Sequence, residues 1–370
     1  MYRFGGMLDS QNGMVLLSCH PTRSIKRADV SDGLGPSSNF CLPCIMLHLS
    51  PLHNSLQKAI AHREVALGMR YVDKPIPSHG PDLFSNNYLS LSSDHSRRNV
   101  FLRKVQEAAP TRLFGSTGSR VMTGNSSEMN ALETAFKQFF AAPSALLFSS
   151  GFNANVSFFS NVPQNHDVII YDELVHASCI DGIRLSSCPS YTFTHNSVAA
   201  FEKCVLGVQQ KHPHITRGTS TVFIVLESLY SMDGDFCPLT EIVELAETHL
   251  PAGCAHIVVD EAHTTGLCGP NGTGYVSHLG LNDRVHTQVH VLSKARGFHG
   301  GMCCSSLEYY SSRNLTLIMF TGVLLTSQII KDYLINFSKS IMFSTEIPLT
   351  DIYALEATLS VISSTRGQEV

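Results

Sequence analysis

The chain is short of charge, and of positive charge in particular. Charged residues make up 15% of its 370 positions, and 26 Lys and Arg against 30 Asp and Glu leave a formal net charge of −4 at pH 7. No basic footprint for nucleic acid results. The dipeptide Gly-Lys occurs nowhere. That removes the Gly-rich, lysine-terminated loop that holds nucleotide phosphates in P-loop enzymes. Val259-Asp260-Glu261-Ala262-His263 therefore does not read as the acidic motif of a nucleic-acid motor. No apolar run reaches membrane-spanning length; Leu315 to Leu325 comes nearest and is interrupted, so no membrane association is expected. Met14 to Leu17 stops too soon to form a signal core. The 11 cysteines follow no regular framework, which points to reduced thiols in an intracellular, cytoplasmic compartment, with an organelle such as a peroxisome or mitochondrion left open. Cys41-x-x-Cys44 with His48 and His53 is too compressed for a zinc finger and has no second pair, so no metal is expected.

What is present is a globular composition, with 43% hydrophobic residues, enough for a sizeable core. Residues 1–50 recur in Gly, Ser and Pro and carry no sustained period, which predicts a poorly organised extension. Leu56 to Met69 has apolar residues at helical spacing. Thr123 to Glu128 reads as a helix entry, with the helix continuing through Leu132, Ala135, Phe136 and Phe139. From there short apolar runs alternate with helical stretches. Ala145 to Phe148, Asp167 to Asp172, Thr221 to Glu227, Ile257 to Val259 and Val289 to Lys294 read as buried strands, and Pro238 to Leu250 as a helix between two of them. Such alternation predicts an α/β fold with a mostly parallel central sheet flanked by helices.

In an open α/β sheet, ligands bind at the carboxyl ends of the strands. Charged and small residues collect at those ends here. Ser150-Gly151-Phe152 follows one strand and opens a helix whose free N–H groups suit a phosphate. His176 follows the next strand, Ser231 the one after, then Asp260 with His263, and finally Lys294 ahead of the loop Gly297 to Gly301. A lone lysine leaving a buried strand suggests Schiff-base chemistry, and a lone aspartate leaving a neighbouring strand suggests the partner of a pyridinium nitrogen. Together they propose pyridoxal 5′-phosphate (PLP).

The ordered stretches Asn86-Asn87-Tyr88-Leu89, Gly115 to Arg120, Ser150 to Asn155, His176-Ala177-Ser178, Ser231 to Asp235, Asp260 to His263 and Leu292 to Ala295 resemble the α-oxoamine synthases, PLP enzymes of the class I/II aminotransferases with fold type I. The resemblance covers more than half the chain. It implies that Lys294 carries the cofactor, that Asp260 holds the ring nitrogen protonated, and that His176 stacks on the ring. His263 and Ser231 would bond the cofactor, and Gly151 and Phe152 would meet its phosphate. Catalysis would fall to Lys294, His176 and Asp260. The implied reaction is a decarboxylative condensation of an amino acid with an acyl-CoA to an amino ketone. Within the family the likeness is greatest to the branch that joins L-alanine to pimeloyl-CoA in biotin synthesis, working as a homodimer.

The resemblance also implies a division of the chain. Residues 51–110 would hold the N-terminal helix and a small-domain segment, and 111–301 the large PLP-binding domain. Residues 302–324 read as an insertion, and 325–370 as the start of a C-terminal region that relatives continue into a small domain, here incomplete. Two further departures are Val291, where the family has a phosphate-bonding Thr, and Arg296, where a neutral residue is usual. The lost hydroxyl contact is of a kind worth roughly 1.5–3 kcal/mol. The family's carboxylate-binding Arg would lie beyond Val370, leaving Arg63, Arg70 or Arg120 as substitutes. Two alternatives follow: a catalytically impaired PLP-binding homologue or structural partner subunit, and a PLP aminotransferase of the same fold.

Overall fold

The computed structural model describes residues 50–68, 80–108, 113–298 and 322–363, together with the backbone of two short strands near the start. Residue contacts divide the chain into two units, Met1–Pro81 and Asp82–Val370. In the first, β1 (Gly5–Asp9) and β2 (Met14–Ser18) pair antiparallel, and α1 spans Pro51–Leu67. This helix starts five residues before the periodicity does, because Ser50-Pro51 is a start signal. The Ser50 hydroxyl accepts from the His53 N–H at 3.3 Å, and Pro51 needs no amide partner at the first position.

The second unit is built on a seven-stranded sheet of order β3-β9-β8-β7-β6-β4-β5. Its strands are β3 (Ser144–Phe148), β4 (Val168–Asp172), β5 (Ser190–Phe193), β6 (Val222–Glu227), β7 (Ala255–Asp260), β8 (Thr287–Val291) and β9 (Gly322–Thr326). Strands β8, β7, β6, β4 and β5 are mutually parallel, as the βα alternation predicts, while β9 runs antiparallel to both β3 and β8. Two reversals restore direction, so β3 ends on the same edge as the parallel set. Strands β3, β6, β8 and β9 are buried along their length, as a sheet covered on both faces requires; β5, at the margin, is largely accessible.

The covering helices are α2 (His95–Glu107), α3 (Ser127–Phe139), α4 (Gly151–Asn161), α5 (Ala177–Leu185), α6 (Val198–Lys211), the short α7 (Pro213–Thr216), α8 (Leu239–His249), the short α9 (Tyr275–His278), α10 (Gln328–Phe337), the short α11 (Lys339–Met342) and α12 (Leu349–Ile362). Serines or an aspartate cap α2, α3, α4, α6 and α10 by accepting a backbone N–H three residues on. One apolar core gathers Phe158, Ile170, Phe201, Ile224, Val243 and Val258 under α4 to α8; a second gathers Met129, Leu132, Phe136, Leu147, Val323 and Leu355 under α3 and α12. Among the described residues no helix is long and apolar enough to cross a membrane.

Two expected boundaries move. Strand β8 ends at Val291, so Lys294 sits on the turn beyond it rather than within it. Gly322 to Leu324, expected at the end of an insertion, are strand residues in the middle of the sheet. They resume the apolar, β-branched pattern that a doubly covered strand needs. The rest of that stretch, and the Cys41, Cys44 and His48 cluster, lie outside the described residues.

Candidate active site

Each parallel strand delivers a turn to one edge, and the candidate residues sit on those turns. After β8, the chain tightens through Gly297 N–H to Lys294 O at 2.8 Å and Phe298 N–H to Leu292 O at 3.0 Å. Gly297 has φ +57°, and a Cβ there would stand 2.4 Å from the backbone nitrogen of Ser92. Only glycine fits this left-handed, close-packed position. From the other side, Arg97 donates to the carbonyls of Arg296 at 2.8 Å and Gly297 at 2.5 Å. The loop bearing Lys294 is thereby pinned against the start of α2.

The ammonium of Lys294 lies 2.6 Å from Nε2 of His263, and Nδ1 of His263 lies 2.8 Å from the Tyr88 hydroxyl. Tyr88 in turn donates to Asn86 Oδ1 at 3.0 Å. Donor logic orders this chain. A lysine ammonium only donates, so Nε2 accepts; Nδ1 then carries the proton, donating to a hydroxyl that donates onward to Asn86. Burial, helped by the nearby Lys294, pushes His263 down to about 4, so the ring is neutral near pH 7. Burial also lowers Lys294 from its ordinary value, against the pull of Asp260 and Glu227. A lysine so depressed supplies its free amine at lower pH than an exposed one.

Asp260 closes β7 and is 7% exposed. Its Oδ1 accepts from the Ala262 N–H at 2.9 Å and its Oδ2 from Asn155 Nδ2 at 2.8 Å. The same Asn155 amide donates to Ser178 Oγ at 3.0 Å, and Ser178 Oγ lies 2.7 Å from His176 Nδ1. Ser178 also donates its N–H to that nitrogen at 3.2 Å. Asp260 and His176 are therefore two ends of one polar chain through Asn155 and Ser178. The other amide atom, Asn155 Oδ1, is buried and unpaired in this arrangement.

Gly151 opens α4, and the Ser150 hydroxyl accepts from Asn153 N–H at 2.9 Å. A Cβ on Gly151 would lie 2.4 Å from Val291 Cγ2, and one on Gly322 would lie 2.6 Å from the Gly151 nitrogen. The backbones at Gly151 and Gly322 meet here, with the Val291 side chain packed against Gly151, around the first N–H groups of an 11-residue helix. Val291, the departure from the family's threonine, presents a methyl to this cradle. Phe152 stands edge-on to His176, with ring centroids 6.3 Å apart at 82°.

The structure thus joins Lys294 to His263 and Asp260 to His176, and places Phe152 beside His176. Ser231 lies exposed on the turn after β6 and takes part in none of these bonds. The buried Ser228 binds Asp260, its hydroxyl donating to the Asp260 carbonyl at 3.1 Å. Arg120 is not available as a substitute carboxylate binder: both of its terminal nitrogens are taken by Glu133, and Glu133 also holds Lys331 at 2.6 Å. Arg70 lies outside the described residues, and Arg63 belongs to the first unit. Arg296 is 2% exposed and turned onto the loop after β7, where it donates to the carbonyls of Asn271 at 3.0 Å and Gly272 at 2.7 Å.

Three contributors were not singled out in the sequence. Tyr88 and Asn155 lay inside matching stretches, but only the fold shows that Tyr88 reaches a ring 175 positions away. Glu227 ends β6 directly opposite Asp260. Burial, and then the charge of Asp260, push it up to about 8. A charged residue ending an apolar run was the available signal.

A half-buried amine with a lowered pKa, a buried carboxylate on the neighbouring strand and a glycine-opened helix start fit PLP, residue type by residue type. Comparison with known proteins agrees. Residues 81–368 match the family model described as aminotransferase class I and II. The chain is 37% identical over 322 residues to 8-amino-7-oxononanoate synthase of Emericella nidulans, covering 86% of this chain and 72% of that protein. It is 37% identical over 226 residues to the aminoacyl transferase sphA of Byssochlamys spectabilis, covering 61% of this chain and 48% of that one, so the chain spans only about half of the latter's length. Among solved structures, the serine palmitoyltransferase of Sphingomonas wittichii superposes with a TM-score of 0.67 at 25% identity, over 85% of this chain and 73% of that one. The chain belongs to the aminotransferase class I and II family, in its α-oxoamine synthase branch of PLP-dependent C-acyltransferases.

Proposed function

We propose that this chain, as a homodimer, carries PLP on Lys294 and condenses an amino acid with an acyl-CoA, releasing CoA and carbon dioxide and leaving an amino ketone. L-alanine and a pimeloyl-CoA-like thioester are the proposed substrates. The identity to the Emericella 8-amino-7-oxononanoate synthase supports that pair. The observation that carries the reading is the joint placement of Lys294 and Asp260 on adjacent strand ends, each tied to a further site residue.

When bound, the cofactor supplies an electron sink for the substrate's α-carbon. The protein's own groups do the rest. Asp260, fixed by Ala262 and Asn155, holds a proton at the ring nitrogen. Neutral His263, accepting from Lys294 at Nε2, keeps the amine aimed at the site. Lys294, as a free amine, would move the substrate's α-proton. The helix start at Gly151 would hold the phosphate, and His176 would cover the ring face.

The test is to incubate the purified chain with PLP, L-alanine and pimeloyl-CoA and to follow CoA release together with the amino ketone. Both products should appear only with both substrates. In a parallel incubation with an added 2-keto acid, amino-group transfer to it without CoA release would instead select the aminotransferase reading. The impaired-homologue reading also has an observation in its favour, the Val291 methyl on the phosphate cradle; PLP uptake without either product would select it.

A further inference from the structure

One residue outside the site reaches two of its turns. His195 follows the margin strand β5, and the next residue, Asn196, has φ +50° and turns the chain back over the sheet edge. His195 Nδ1 lies 2.9 Å from Asp172 Oδ1, and Nε2 lies 3.1 and 3.3 Å from the two oxygens of Asp235. Asn196 repeats the span, donating its N–H to Asp172 Oδ2 at 2.8 Å and its amide to Asp235 Oδ2 at 2.9 Å. Asp172 is the fully buried last residue of β4, four positions before His176. Asp235 closes the turn that carries Ser231, through its carbonyl to the Tyr230 N–H at 3.0 Å.

We propose that His195 is a positioning residue for the cofactor site, bridging Asp172 and Asp235 so that the turn bearing His176 and the turn bearing Ser231 are held in one register. The inference rests on the reading above, in which His176 would cover the cofactor ring, and on the family resemblance, which sets Ser231 beside the cofactor. Both ring nitrogens face carboxylates, which only accept, so both nitrogens donate and the ring carries a charge. The groups facing it are Asp172 from β4, Asp235 and the edge-on Tyr230 ring from the turn after β6, and Glu173, which accepts the His195 N–H at 2.9 Å. Burial opposes the charge, but the bonds to Asp172 and Asp235 outweigh it and raise His195 above its ordinary value. A raised value means the bridge is complete below the unfolded-state value of ~6.5 and is lost as pH climbs through the folded one.

The experiment uses the full chain and reads backbone hydrogen exchange, corrected for intrinsic rates, without needing the cofactor. His195→Phe keeps a ring against Tyr230 and removes both donors; Asp235→Asn alters a half-exposed acceptor and guards against misfolding of the first variant. Each should speed exchange in both 173–178 and 228–236 by roughly tenfold, the scale of a lost charge-assisted bond. In the unsubstituted chain the same two segments should loosen together as pH passes the His195 midpoint. Faster exchange confined to 194–197, with both turns unchanged, would overturn the proposal. PLP affinity is then measured by titration. His195→Phe should weaken it while Lys294 still takes up the cofactor, and unchanged affinity with both turns loosened would also overturn the proposal. Absence of PLP uptake by the unsubstituted chain would instead sink the functional reading, and the exchange result would still decide the bridge.

Discussion

Lys294 and His263 meet at 2.6 Å, and the far side of the His263 ring is fixed at 2.8 Å by Tyr88. The catalytic candidate on one strand end is thus aimed by a neutral imidazole on the next, and that imidazole is oriented by a residue from the segment before α2. A remote tyrosine thus reaches the lysine through a single imidazole.

Tyr88→Phe tests that relation. The substitution keeps the ring and deletes one neutral hydrogen bond, worth about 0.5–1.5 kcal/mol. Turnover should fall severalfold, with the alkaline limb of the pH–rate profile displaced and the fold unchanged by circular dichroism. An unaltered profile would show that Tyr88 does not orient His263.

Val291 tests the phosphate cradle. Val291→Thr replaces the methyl that faces Gly151 with a hydroxyl of nearly equal volume. PLP should bind roughly tenfold tighter, as expected for one hydrogen bond to a charged group. Gly322→Ala should act the opposite way. Its Cβ would lie 2.6 Å from the Gly151 nitrogen, and overpacking of this kind costs about 1–3 kcal/mol. Fluorescence titration with PLP reads the first and thermal unfolding the second.

Asn155 tests the link from Asp260 to His176. Asn155→Ala leaves Asp260 with the Ala262 N–H and frees Ser178 from its donor. PLP should still bind, with turnover down by at least tenfold, since a hydrogen bond to a buried carboxylate carries about 1.5–3 kcal/mol. Asn155→Asp should be worse, because a second carboxylate would stand beside Asp260. Equal activity of Asn155→Ala and the unsubstituted chain would remove Asn155 from the site.

The buried titratable groups set opposing pH limits. Burial pushes His256 and His290 each down to about 3, and His263 down to about 4. Depressed histidines contribute stability that is present above ~6.5 and lost as pH falls through the folded values. Glu227 is pushed up to about 8. A raised carboxyl is fully favourable only below its ordinary value and penalises folding increasingly as pH rises toward 8. Glu227→Gln should therefore raise the melting temperature at pH 8 and leave it nearly unchanged at pH 4.5, as followed by calorimetry across pH.

Much of this was legible in the chain itself. The strand ends at Phe148, Asp172, Glu227 and Asp260 fall where apolar, β-branched runs stop, because a sheet covered on both faces tolerates no charge before its edge. Lys294 was read on the right edge, leaving the carboxyl end of its strand, but that strand stops three residues sooner, since Leu292-Ser293 carries no turn signal and Arg97, holding the Gly297 carbonyl, fixes the bend. Strand β9 was missed altogether: Gly322 to Leu324 read as the end of an insertion, and no strand was expected there. A single antiparallel strand between β3 and β8 has no βα unit of its own to announce it. Tyr88, Asn155 and His195 act across 175, 105 and 23 or 40 positions, distances at which periodicity says nothing. Ser231 illustrates the converse, since its motif is plain in the sequence while its side chain stands apart from the bonded network.

The most direct measurement of the central claim is reduction of the PLP-treated chain with borohydride, followed by peptide mapping on the unsubstituted protein and on Lys294→Ala. The account predicts one equivalent of reduced cofactor on the peptide containing Lys294, no stoichiometric label in Lys294→Ala, and the same circular dichroism for both. Stoichiometric label on a different lysine, or label of equal extent in Lys294→Ala, would contradict it.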